Sequence, residues 1–105
     1  MYYRNEEMRI ITKNTISLFC KSHPMAFKAL VFWYDAVKRA RWHNFADVKQ
    51  SFPTVSQVGN QRYVFNILHN EYRLIAKIQF TDQCVYIRFI GTHKTYDRIK
   101  DIQNI

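Results

Sequence analysis

The sequence is poor in glycine, proline and cysteine, with two of each in 105 residues. So few chain breakers exclude long disordered or collagen-like stretches. Two cysteines cannot make a disulfide framework. The plain reading of Cys20 and Cys84 is a pair of buried thiols in a reducing compartment, with a bridge between them left open. No apolar run approaches the roughly 20 residues of a membrane-spanning helix. Met1–Glu7 lacks the apolar core of a secretory signal, so a cytoplasmic protein with no membrane partner is expected. Walker, Rossmann and Ser/His/Asp signatures are missing. The length excludes a multidomain enzyme or a Rossmann nucleotide domain. Acid is scarce as well: 8 Asp plus Glu stand against 16 Lys plus Arg, a net charge of +8.

What is present is apolar and basic. Hydrophobic residues make up 48% of the chain and aromatics 16%, enough for one packed core. A small domain with two cations per acid is suited to a polyanion or an acidic protein. Residues 1–7 are polar and aperiodic and read as a flexible leader, or as an upstream start before Met8. Residues 8–105 read as a single domain.

Arg9-Ile-Ile-Thr12 is a short β-branched strand. A helix is expected near 14–21, with Ile16, Phe19 and Cys20 at helical spacing and Thr12 or Asn14 as its cap. Ser22 is expected to cap a second helix with Pro24 in its first turn. Its apolar stripe reads as Phe27, Leu30, Val31, Tyr34 and Val37. Lys38, Arg39 and Arg41 at its end suit the helix dipole. Asn44 starts a short helix, Phe45 to Ser51, which Phe52-Pro53 stops. The period then changes from 3.6 to 2. Arg62–Leu68, Glu71–Thr81 and Cys84–Thr92 read as a three-stranded meander. Tyr96–Ile102 reads as a short C-terminal helix. The class is α+β, with the helices on one face of the sheet.

With two-residue hairpins, one sheet face becomes Tyr63, Phe65, Ile67, Tyr72, Leu74, Ala76, Ile78, Phe80, Val85, Ile87 and Phe89. It holds no charge, and the helices should cover it. The opposite face carries Arg62, Asn66, Arg73, Lys77, Gln79, Tyr86 and Arg88. In this register Arg62, Lys77 and Arg88 form one row, and Asn66, Arg73 and Thr92 a second. Cations placed opposite one another destabilise a sheet. A phosphate-rich ligand offsets that cost through charge-assisted hydrogen bonds. Tyr86 could stack an unpaired base or simply fill the sheet surface.

Gly91-Thr-His-Lys-Thr-Tyr-Asp97 follows the last strand. It sets imidazole, ammonium, phenol and carboxylate beside the Arg73 end of the basic face. Cleaving RNA by internal attack needs a base for the 2′-OH, an acid for the 5′-oxygen and cations for the phosphate. The RNA supplies the nucleophile, so no cofactor or metal is required. His93 is the candidate for proton transfer. Tyr96 could position the nucleophile or donate a proton. Arg73, Arg88 and Lys94 could hold the phosphate. Asp97 is expected to cap the last helix, the other reading being that it orients His93 or Tyr96. Cys20-x-x-His23 is at most half a metal site, and no metal is expected.

From Met8 onward the sequence resembles the HigB family of bacterial type II toxins, which have a RelE-like fold. The resemblance is carried by Met8-Arg-Ile-Ile-Thr12, Ala46-Asp-Val-Lys49 with Phe52-Pro53, and Tyr63-Val-Phe-Asn-Ile67. Asn70-Glu-Tyr-Arg-Leu-Ile75 and Val85-Tyr-Ile-Arg88 through Gly91-Thr-His-Lys-Thr-Tyr-Asp97 complete it. It implies two N-terminal helices packed on one face of a twisted, mainly antiparallel sheet, with a basic groove on the other face. It implies an mRNA interferase acting on mRNA at the ribosome. It also implies a HigA-like helix-turn-helix antitoxin, with operator DNA reached only through that antitoxin. By position, Arg73, Arg88, His93, Lys94 and Tyr96 match the family motif at the groove, and Lys49 and Asn66 join them there. The expected site is thus His93, Tyr96 and Arg73 for catalysis, with Lys49, Arg62, Asn66, Lys77, Arg88 and Lys94 for RNA. Two other readings use the same charge without chemistry: an RNA- or ribosome-binding module, and a module that docks an acidic protein.

Overall fold

A computed structural model describes residues 8–105. The leader expected at 1–7 lies outside the described residues. The elements run β1 (Arg9–Ile11), α1 (Asn14–Ser22), a 3₁₀ turn (Pro24–Ala26), α2 (Phe27–Arg39) and α3 (Phe45–Ser51). They continue with β2 (Ser56–Gly59), β3 (Arg62–Ile67), β4 (Tyr72–Gln79), β5 (Cys84–Thr92) and α4 (His93–Asp97). The five strands form one sheet in the order β1-β5-β4-β3-β2. β1 runs parallel to β5, and the other neighbours are antiparallel.

One face of this sheet carries the main core. Phe65, Ile67, Leu74, Ala76, Ile78, Val85 and Ile87 are buried there with Leu30, Trp33 and Val37 of α2. The Trp33 ring meets Phe65 edge-on at 5.5 Å, and Phe19 of α1 meets Tyr72 at the same distance. Trp42 and Phe52 bracket Phe65 from the α3 side. Burying such aromatics supplies the largest single favourable terms in folding. The alternation expected for β3, β4 and the first half of β5 therefore holds.

The α2 stripe is rotated from its expected place. Leu30, Trp33 and Val37 face the core, while Phe27 is 56% exposed and Val31 borders on exposed. The bulk of Trp33 decides the rotation, because its ring fills the space over Phe65. Phe27, Val31 and Tyr34 instead line a cavity of about 260 Å³ shared with Ile16 of α1.

The helix starts differ too. Residue 13 stands at the cap of α1, with no side-chain bond from Thr12 or Asn14. Thr12 adopts a left-handed φ of 66°, and its hydroxyl donates to the Ile87 carbonyl at 2.9 Å, stitching β1 to β5. Ser22 ends α1 rather than capping α2, because Pro24 opens a 3₁₀ turn with His23 at its cap. Asn44 does cap α3, its side chain accepting from the Asp47 amide at 3.0 Å.

β2 was not expected. Ser56-Gln-Val-Gly59 has one large apolar residue, so no alternation marks it, yet it pairs with β3. The turns are built with almost no glycine. Asn60, Gln61, Leu68, His69 and Gln83 all take positive φ. Non-glycine residues in that region cost about 1–2 kcal/mol each, and the pairing of the strands they join offsets it.

The first hairpin has the expected register, with Arg62 opposite Lys77 and Asn66 opposite Arg73. The second does not. Its turn takes four residues, Phe80 to Gln83, closed by the Gln83 amide on the Phe80 carbonyl at 3.1 Å. Lys77 therefore faces Tyr86, not Arg88. A β-bulge follows between Ile75 and Ala76, where Ile87 and Phe89 oppose adjacent residues and Arg88 is the extra one. The bulge reverses the alternation beyond it. Phe89 pairs with Ile75, outside the main core, while Ile90 packs against that core. The second row becomes Asn66, Arg73 and Gly91, with Thr92 paired to Tyr72. The C-terminal helix begins at His93 and ends at Asp97, earlier at both ends than expected, because Thr92 caps it.

Candidate active site

The bulge and α4 together build the site. Arg88 is exposed at the bulge, and the Phe89 ring lies over Gly91, where an added Cβ would stand 2.4 Å from it. Only glycine leaves room for that ring beside Arg73. Thr92 then turns the chain. Its hydroxyl accepts from the Thr95 amide at 3.2 Å, and the His93 amide donates to the Glu71 carbonyl at 3.2 Å. The first fixes the start of α4, and the second ties it to the start of β4.

On α4, residues four apart share a face. His93 Nδ1 lies 3.0 Å from Asp97 Oδ2. Asp97 is at the end of the helix, so it does not cap it; it holds His93. At that distance the carboxylate stabilises the imidazole whenever it carries a proton, as opposite charges four apart on a helix do. Both side chains are about half exposed, within reach of a substrate. Tyr96, on the same helix, lies over Arg73, with the guanidinium 5.6 Å from the ring centre. Arg73 also donates to the Asn70 carbonyl at 3.2 Å and the Tyr72 carbonyl at 3.4 Å. Those contacts hold it on the face opposite the helices, with Asn66 directly across on β3.

His93, Tyr96, Arg73 and Asn66 are thus brought together at one end of the sheet. Lys94 is exposed on α4 beside them. Lys77, Arg62 and Arg88 lie farther along the same face, in a changed arrangement. Arg62 is buried at 8% exposure, donating to the Asn60 carbonyl at 2.9 Å and to the Ile105 main-chain oxygen at 2.7 Å. Arg88 donates from Nε to that same oxygen at 3.0 Å. The even row of three open cations is therefore replaced by Lys77 beside Tyr86 and two arginines gathered on the C-terminal segment. Burial raises the Tyr86 phenol above its ordinary value, with Cys84 adding to the effect. Lys49 is not brought to this face. It sits on α3, whose Phe45 stacks on Tyr63, and its ammonium reaches the Pro53 carbonyl and the Phe45 ring.

Val64 and Ile75 point to the same side as the arginines and are buried at 4% and 0% exposure, outside the main core. Their alternation was legible in the sequence. The two cysteines are free thiols, Cys84 buried and Cys20 partly so, and burial raises the Cys20 thiol. Among the described residues no group of three His, Cys, Asp or Glu gathers as metal ligands, and no helix is long and apolar enough to cross a membrane.

The sequence is similar to those of known proteins. The family model described as HigB toxin, RelE-like toxic component of a toxin-antitoxin system, matches residues 26–99. The mRNA interferase toxin HigB of Escherichia coli strain K12 is 29% identical over 92 residues, covering 86% of this chain and 88% of that protein. The mRNA interferase HigB of Shigella flexneri gives the same figures. The mRNA interferase HigB of Escherichia coli O6:H1 is 26% identical over 94 residues, covering 88% of this chain and 91% of that protein. The family match runs from the 3₁₀ turn through α4, across the whole β2–β5 sheet and the His93 end, and the chain belongs to the HigB toxin family, RelE-like toxic components of toxin-antitoxin systems.

Proposed function

We propose that this toxin is an endoribonuclease that cuts mRNA on the ribosome, with His93, Tyr96 and Arg73 at the scissile linkage. The observation that carries the reading is the 3.0 Å His93–Asp97 pair on the helix that stacks Tyr96 over Arg73. The curated relatives are named mRNA interferases, which supports it.

In this reading the RNA 2′-OH attacks the adjacent phosphorus, and the 5′-oxygen of the next nucleotide leaves. His93 moves a proton at Nε2 while Asp97 steadies the imidazolium that forms. Arg73 binds the phosphate oxygens as their charge builds. The Tyr96 hydroxyl serves the other proton position or orients the 2′-OH. The nucleophile belongs to the substrate, so the chemistry requires no metal and no covalent enzyme intermediate. Lys94, Asn66 and Lys77 guide the strand along the face.

Family membership also implies an antitoxin partner. We infer a HigA-like antitoxin with a helix-turn-helix domain, through which operator DNA is reached.

The test is brief induced expression of wild type and His93→Ala, with translation and mRNA ends followed together. The wild type should create new mRNA ends within translated regions and arrest growth. His93→Ala should lose about 10²-fold or more of the cleavage while melting at the same temperature. Full cleavage by a folded His93→Ala protein would overturn the site. Growth arrest with unchanged mRNA ends would favour a non-catalytic RNA- or ribosome-binding module.

A further inference from the structure

Beyond α4 the chain crosses the sheet face that the helices leave bare. Ile99, Ile102 and Ile105 are half-buried there, each separated by exposed neighbours. Gln103 donates from Nε2 to the Val58 carbonyl at 2.8 Å. Asn60 donates from Nδ2 to the Gln103 carbonyl at 2.8 Å and to Asn104 Oδ1 at 3.3 Å. The Gln103 side chain fits against Gly59, where a Cβ would stand 3.1 Å from it. At the end of this run two guanidinium groups, those of Arg62 and Arg88, converge on the single Ile105 main-chain oxygen, at 2.7 and 3.0 Å.

Two arginines meeting on one oxygen make an anion site. The site is also under-filled. Arg62 is more than nine-tenths buried, and its Nε, wholly buried, has no hydrogen-bond partner. Among the described residues no side-chain carboxylate pairs with either arginine. A buried cation with an idle donor is costly. A phosphodiester carries two non-bridging oxygens that share one negative charge, in the spacing a guanidinium fork binds. It could take the place of the lone oxygen and also satisfy Nε.

The position suits an RNA strand. Arg62 pairs with Lys77, and Arg73 lies four residues along β4 from Lys77, a distance of about 13 Å at about 3.3 Å per residue. A stacked strand rising about 3.4 Å per nucleotide covers that span in about four nucleotides.

We propose that Arg62 and Arg88 form a phosphate subsite for the RNA, remote from the scissile linkage, and that residues 101–105 hold it closed as an internal competitor that RNA displaces. The proposal rests on the RNA-cleaving reading above and adds its regulation.

The test uses the full chain and a 2′-O-methyl RNA oligonucleotide, which binds without offering a 2′-OH. Asn60→Gly with Gln103→Ala removes the side-chain bonds of the strap, and glycine keeps the left-handed backbone at position 60. The loosened variant should bind the oligonucleotide about tenfold more tightly than wild type, the scale of one or two net hydrogen bonds. Adding Arg88→Ala should cancel the gain. The Arg62 Nε–H resonance of the wild type should move on titration with the oligonucleotide or with inorganic phosphate. Unchanged affinity in the loosened variant, with wild type still creating new mRNA ends in cells, overturns the strap and leaves the RNA-cleaving function standing. If wild type creates no mRNA ends, that function fails instead; the Arg62 resonance then decides the subsite alone, and an unmoved resonance overturns it.

Discussion

The two faces of the sheet are closed by different means. On the helix side, Trp33, Phe65, Leu74 and Ile78 are sealed by side-chain packing, and even the buried Trp33 indole N–H makes no hydrogen bond. On the other side, Val64 and Ile75 are equally buried, but that face also carries a segment held by Gln103, Asn60, Arg62 and Arg88 hydrogen bonds. Apolar packing is non-directional and becomes stronger with every atom added. Hydrogen bonds to charged groups can be exchanged one for one with those of a ligand. The first face is therefore suited to stability and the second to exchange. Their separation lets the protein expose cations without loosening its core.

Four substitutions would break or sharpen this contrast. Trp33→Ala should destabilise the fold by about 3–5 kcal/mol through the cavity it leaves, seen as a fall in the urea midpoint. A small loss there would mean that the helix face is not the principal source of stability. Arg73→Ala, on the other face, should cut mRNA cleavage by about 10²-fold or more with the urea midpoint nearly unchanged. Asp97→Asn should lower cleavage by about tenfold or more, since the imidazolium loses its carboxylate; single-turnover rates would show it. Gln61→Gly should raise stability by up to about 1 kcal/mol, because position 61 has a φ of 64° that glycine adopts without strain. A melting curve measures it, and RNA cleavage should stay as it was.

How far the sequence discloses these faces depends on the kind of signal. The period-2 alternation of Tyr63–Ile67 and Tyr72–Ile78 is local, and it placed both faces correctly. Whether Lys77 meets Arg88 or Tyr86 depends instead on how many residues the Phe80–Gln83 turn uses, and the partner of Arg73 depends also on one extra residue in β5. Neither leaves a mark in composition. β2 was invisible because Ser56, Gln57 and Gly59 give no apolar rhythm; it exists because β3 offers it an edge. At the site, His93, Tyr96 and Arg73 were legible as residue types gathered near one strand end. The pairing of His93 with Asp97 required knowing that the helix begins at His93, which sets the two four residues apart on one face. The occupation of Arg62 and Arg88 by the C-terminal segment is a long-range contact, Ile105 standing 43 positions after Arg62, and no local pattern announces it.

The parallel pairing of β1 with β5 has a consequence for the order of events during synthesis. Arg9 meets Cys84 across 75 residues, so that edge must wait until the segment carrying Cys84 has left the exit tunnel. The loop closed by such a contact is long and slow to find. The helix bearing His93 emerges later still. A chain made by the machinery it is proposed to attack would thus lack both this sheet edge and His93 until translation has passed them.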